Sequence, residues 1–157
     1  MNRAWTRVRS GVLVVACSDG RLQKATDAFL AGELGLTEYD RLYMPGGGGA
    51  LAATGRDFIR AQQFRRECLY LVELHDIERI LLIFHGPAID GPPDATCADY
   101  RRKATGASPA TIRERQARDA ADLLGRRYEW AGQAAVSVYW CEVDAALNIT
   151  FREMSPE

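Results

Sequence analysis

Along this chain, unbroken apolar runs alternate with stretches whose apolar residues recur every three or four positions. The two patterns predict alternating strands and helices. Val12 to Ala16 is apolar throughout, as expected of a strand buried on both faces of a parallel sheet. Leu22 to Leu34 reads as a helix, with Ala25, Ala28, Phe29 and Gly32 along one stripe. Arg41 to Met44 is a short second strand, stopped by Pro45 and the glycine run Gly46 to Gly49. A long amphipathic helix comes next, from Arg56 to His75, with Ile59, Gln63, Cys68, Leu71 and Val72 near one side. Glu78 to Phe84 is the strongest strand pattern, and it runs straight into His85. Residues 86–98 read as loop, rich in Pro, Gly and Asp. Ser108 is a natural N-cap with Pro109 at the first helical position, opening a helix to about Leu124. Ala135 to Val143 is a fourth strand, and Leu147 to Phe151 a short edge strand.

Strands alternating with helices imply an α/β fold with right-handed crossovers. The expectation is a single domain over residues 1–157, with a mostly parallel sheet of four or five strands flanked by helices and the Val12–Ala16 strand central. The length of 157 residues suits one domain with a real core. No internal repeat or linker interrupts it. No apolar run approaches the ~20 residues of a membrane span, and a net charge of −1 gives no electrostatic case for nucleic acid. The arginine clusters Arg65-Arg66, Arg101-Arg102-Lys103 and Arg126-Arg127 read as solvated helix faces or subunit contacts. Arg3, Arg7 and Arg9 precede an apolar stretch ending at Cys17, which mimics an export signal. Its apolar core, Val12 to Ala16, is shorter than the ~7–15 residues such a signal needs. The four cysteines include no Cys-x-x-Cys pair, so a reducing, cytoplasmic setting with free thiols or thiolate ligands is expected.

Three predicted strand ends carry chemistry that hydrophobicity does not explain. Cys17-Ser-Asp19-Gly-Arg21 comes after the first strand, the Gly46–Gly49 loop after the second, and His85 ends the third. In a parallel sheet all three lie on one rim, where ligands collect. Cys97 lies on the loop beyond His85. Two thiolates and an imidazole are a ligand set that zinc favours, with a fourth position left open, as in catalytic sites. Zinc lowers the pKa of a bound water towards ~7. Asp19 can then accept that water's proton in a hydrogen bond, with Arg21 holding Asp19 ionised and oriented. His75 reads as a helix-terminal or core histidine, and Cys68 and Cys141 as packing residues.

These residues resemble the β-class carbonic anhydrases. The family's first motif is Cys-x-Asp-x-Arg after the first strand, which Cys17-Ser-Asp19-Gly-Arg21 satisfies in full. The approach from Leu71 to His85 is similar to the helix and strand that lead to its second motif. Cys97-Ala98-Asp99-Tyr100 is similar to the small-residue continuation after the family's second cysteine. The glycine loop sits where the family has an active-site loop. The resemblance covers residues 11–100. It implies zinc ligands Cys17, His85 and Cys97, a catalytic pair Asp19 and Arg21, a substrate or anion loop at Gly46, Gly47, Gly48 and Gly49, a small-molecule substrate, and a homodimer or larger assembly. One spacing departs from the family: its histidine and second cysteine are two residues apart, whereas eleven separate His85 from Cys97. Either the intervening segment bulges out and returns Cys97, which closure entropy permits, or the third ligand is lost, with an oxygen from Asp90 or Asp94 as a substitute.

The activity implied is hydration of carbon dioxide or hydrolysis of a related small electrophile. Two other readings stay open from the residues. Cys17 is a candidate nucleophile with Arg21 on an oxyanion, although Cys-x-x-x-Arg is too short to wrap a phosphate. A non-catalytic scaffold would instead hold a small anion on the Gly46–Gly49 loop and the N-terminus of the next helix.

Overall fold

The computed structural model describes residues 4–53 and 57–154, and strands alternate with helices over them. β1 (Val12–Ala16), β2 (Asp40–Tyr43), β3 (Arg79–Pro87), β4 (Ala135–Val143) and β5 (Ile149–Glu153) form one sheet in the order β2-β1-β3-β4-β5. The first four are parallel, and β5 turns back antiparallel on β4. This is the expected α/β architecture. The centre of the sheet is β3 rather than β1, because β4 and β5 both add on the far side of β3.

Period-two alternation sends the side chains of each inner strand to two separate cores. Val12, Val14, Leu81 and Ile83 pack with Leu22, Phe29 and Leu30 of α1 (Gly20–Gly32) on one face. Leu13, Val15, Ile80, Leu82 and Phe84 pack on the other against α2 (Phe58–His75), the short α3 (Ala98–Lys103) and α4 (Pro109–Gly125). The α4 start is as expected: Ser108 Oγ accepts the Thr111 N–H at 3.2 Å, and Pro109 opens the helix.

Three expectations are corrected. Residues 86–98 are not all loop, because β4 offers partners as far as Val143 and holds β3 in register through Pro87. The same segment then forms a 3-10 turn at Pro93–Ala95, and α3 starts at Ala98. The α2 stripe is also out of phase at its start. Ala61 and Cys68 point inward, with Phe64, Leu71 and Val72 half-buried, while Ile59 is 83% exposed. Ile59 lies two residues from Ala61, about 200° round the helix. The expected helix start at Arg56 lies outside the described residues. Finally, the basic clusters are not merely solvated. Lys103 is buried against Asp99, and Arg65, largely buried, donates to the Leu51 carbonyl at 2.7 Å. Among the described residues no helix is long and apolar enough to cross a membrane.

Candidate metal centre and its pocket

The parallel register sets Val15 opposite Leu82, which brings Cys17, just past β1, level with the Phe84–His85 end of β3. His85 stands within β3, opposite Cys141, and is buried. Beyond it the chain turns, with the Ala88 N–H donating to the Val143 carbonyl at 2.8 Å and the Gly91 N–H to the Ala88 carbonyl at 3.1 Å. The 3-10 turn then delivers Cys97, buried, to the start of α3. The long segment between His85 and Cys97 therefore bulges out and returns. One ligand atom each from Cys17, His85 and Cys97 lies within 4.8 Å of the others. Neither Asp90 nor Asp94 joins this group.

The histidine is oriented for such a role. Its Nδ1 lies 3.2 Å from the Ala95 carbonyl oxygen. A carbonyl only accepts, so Nδ1 carries the proton and the lone pair sits on Nε2. Nε2 is buried and has no hydrogen-bond partner. A buried, unpaired polar atom costs about 1–3 kcal/mol, and a cation between Nε2 and the two sulfurs would remove that cost. Metal-bound histidines characteristically donate their other ring N–H to a carbonyl or carboxylate in this way. The donor set, one imidazole and two thiols, suits zinc. Gln116, buried in α4, donates to the His85 carbonyl at 3.1 Å and secures the backbone beneath.

The two thiols share one proton unequally. A hydrogen bond with Cys97 pulls the Cys17 thiol well below its ordinary pKa, outweighing burial, and the Gly46 N–H helps. The same hydrogen bond, together with burial, pushes Cys97 up. Cys68 and Cys141 are pushed up to about 12, chiefly by burial, and stay protonated in the core.

Asp19 caps α1, accepting the Arg21 N–H at 3.0 Å. Its carboxylate also takes Arg21 Nε at 3.0 Å on Oδ1 and Nη2 at 2.7 Å on Oδ2. The guanidinium beside it holds the Asp19 pKa down at about 2. The pair borders a cavity of about 230 Å³ that His85 and Asp94 also line. Its apolar wall is Leu22, Pro92, Ala95, Val143, Leu147 and Ile149. That volume holds a small molecule and a few waters.

The four glycines meet a packing need. All are buried, and the loop curls into a 3-10 turn, Gly47–Leu51, against the ends of β1 and β3. A Cβ on Gly47 would lie 2.5 Å from the Ile83 oxygen, on Gly48 2.8 Å from the Phe84 ring, and on Gly49 2.0 Å from Tyr100 Oη. Only Gly46 reaches the thiol group, through its N–H to Cys17. The glycine run is required by close packing, with one amide turned to the site.

Sequence reading missed several contributors. Asp99, buried behind Cys97, pairs with Arg60 at 3.0 Å, Lys103 at 3.0 Å and Arg102 at 3.3 Å. Arg60 and Lys103 also donate to the Pro45 and Gly49 carbonyls, tying α2 and α3 to the glycine loop. The pocket wall from the β4–β5 hairpin was equally invisible, since it depends on which face each residue takes. His75 is helix-terminal as expected, its Nδ1 2.7 Å from Asp40 Oδ2.

No protein-family model and no curated protein matches the chain. Among solved structures it is similar to a carbonic anhydrase from Glaciozyma antarctica, with a TM-score of 0.47 at 16% identity, covering 90% of this chain and 80% of that one. It is also similar to β-carbonic anhydrase isoform I from Trichomonas vaginalis, with a TM-score of 0.47 at 11% identity, covering 96% and 86%. Likeness at that level identifies neither activity nor site residues.

Proposed function

We propose that this chain is a zinc-dependent hydratase of the β-class carbonic anhydrase type, converting carbon dioxide to bicarbonate. The observation that carries the reading is the buried, unpartnered Nε2 of His85 grouped with two thiol sulfurs. Cys17, His85 and Cys97 would hold the zinc, which when bound would supply a Lewis acid.

The chain's own residues do the rest. Asp19 is ionised at any working pH, and a carboxylate only accepts hydrogen bonds. A water beside it must point a proton at Asp19 and turn an oxygen lone pair towards the substrate carbon. Arg21 occupies both carboxylate oxygens from one side and so sets the direction in which their remaining lone pairs point. The wall of Leu22, Val143 and Ile149 accepts an uncharged, linear electrophile without leaving a polar group unpaired. Attack forms the carbon–oxygen bond, bicarbonate leaves through the pocket mouth, and the released proton passes to buffer. Carbonyl sulfide and carbon disulfide share the shape and apolarity of carbon dioxide and are the second reading of the same pocket. Thiol chemistry on an oxyanion is disfavoured, because Arg21 is already engaged by Asp19 and Asp94.

We also propose a homodimer in the cytoplasm. Support comes from four free cysteines and from Phe58, Ile59, Tyr70 and Leu74, which α2 leaves exposed.

The test is metal content together with stopped-flow carbon dioxide hydration, on wild type and Asp19→Asn. The amide still caps α1 but presents a donor where the water needs an acceptor. About one zinc per chain in both proteins, with rapid hydration only in the wild type, supports the proposal. Zinc-loaded wild type that turns over none of the three electrophiles refutes it.

A further inference from the structure

We propose that Asp94, on the long segment between His85 and Cys97, is a positioning residue that keeps the Asp19–Arg21 pair turned to the pocket. The inference rests on the hydratase reading above. Arg21 is 60% exposed at its side chain, and a long exposed side chain paired only with its near neighbour has much rotamer freedom to lose. Here the guanidinium is shared between two acids. Nε and Nη2 engage Asp19, while Nη1 donates to Asp94 Oδ2 at 3.2 Å and Nη2 to the Asp94 carbonyl at 3.3 Å. All three guanidinium nitrogens are therefore fixed.

The next residue, Ala95, holds His85 Nδ1 through its carbonyl. One 3-10 turn, Pro93–Ala95, thus registers the histidine and the Asp19–Arg21 pair against each other. Pro92 and Pro93 each lock a backbone φ in that turn, so it serves as a stiff clamp. The Asp19 carboxylate lies on Arg21 and outside the Cys17–His85–Cys97 group. Without the second acid, Arg21 is held only by Asp19 two residues away, and the pair swings together, carrying the guanidinium charge off the pocket that an anion would enter.

The test uses full-length protein loaded with zinc for kinetics and with cobalt(II) for spectroscopy. Asp94→Ala is compared with Asp94→Asn and with Asp90→Asn, a control on the same segment. Exposed ion pairs contribute up to about 1 kcal/mol, or roughly fivefold. Asp94→Ala should bind one metal per chain, fall about three- to fivefold in kcat with KM unchanged, and titrate with thiocyanate several-fold more weakly in the cobalt visible spectrum. Asp94→Asn, which keeps an oxygen acceptor and the backbone carbonyl, should lie between it and wild type; Asp90→Asn should match wild type. Wild-type kcat or wild-type thiocyanate affinity in Asp94→Ala overturns the positioning role and leaves the hydratase reading standing. Loss of metal from both Asp94 variants makes the residue structural and also overturns it. A wild type that takes up neither zinc nor cobalt overturns both.

Discussion

Gly49→Ala separates a packing role for the glycine loop from an anion-binding one. The Gly49 backbone does not need a left-handed φ, so an alanine there incurs its cost through the side chain alone. Its Cβ would stand 2.0 Å from Tyr100 Oη and 2.5 Å from two ring carbons. Tyr100 is fully buried, and its hydroxyl donates to Asp119 at 2.7 Å. The ring cannot retreat without abandoning that buried carboxylate. Overpacking costs about 1–3 kcal/mol, and losing a hydrogen bond to a charged acceptor about 1.5–3 kcal/mol. Together these predict a loss of about 2.5–6 kcal/mol, large for a single substitution. At about 2–4 °C per kcal/mol for a chain of this size, Tm should fall by roughly 10 °C. Urea unfolding of the metal-free protein, followed by circular dichroism, measures the free-energy loss, and a thermal melt measures the Tm. Gly32→Ala, at the last residue of α1, is the control: no atom lies within 4 Å of the new Cβ, and alanine should leave stability unchanged or raise it by up to about 0.5 kcal/mol. Gly49→Ala that unfolds at the wild-type midpoint while losing activity would refute the packing argument and favour the anion loop.

Cys17→Ser should abolish tight zinc retention after dialysis against a mild chelator, measured by elemental analysis; full retention would show that the ligand assignment is wrong. Asp19 has a lowered pKa, so its ionised pairing stabilises the fold above pH about 4 and is lost as pH falls through about 2. The urea midpoints of wild type and Asp19→Asn, separate at pH 6, should therefore converge across that window, and a constant gap would contradict the Asp19–Arg21 account. Light scattering at micromolar concentration should give twice the 17.4 kDa chain mass, and a monomer mass would remove the dimer proposal.

The alternating apolar pattern was enough to determine the strands, their mostly parallel sheet and the placement of Cys17 and His85 on one rim, because burial on both faces demands unbroken runs such as Val12–Ala16. The spacing Cys17-x-Asp19-x-Arg21 was readable for a similar reason: a side chain that caps a helix and then pairs two residues on is a local interaction, encoded within one turn. Ser108 and Pro109 marked the α4 start on the same local basis. What no local pattern carries is the outcome of long-range pairing. β4 reaches Val143 and thereby keeps His85 inside β3, and this decides where the next segment begins. Whether Cys97, Asp90 or Asp94 met the other two ligands depended on the path of eleven residues that have no periodicity of their own. The return of Cys97, the grip of Asp94 on Arg21 and the buried Asp99 with its three cations are contacts between residues far apart in the chain. They became visible only once the sheet, the glycine loop and α3 were packed against one another.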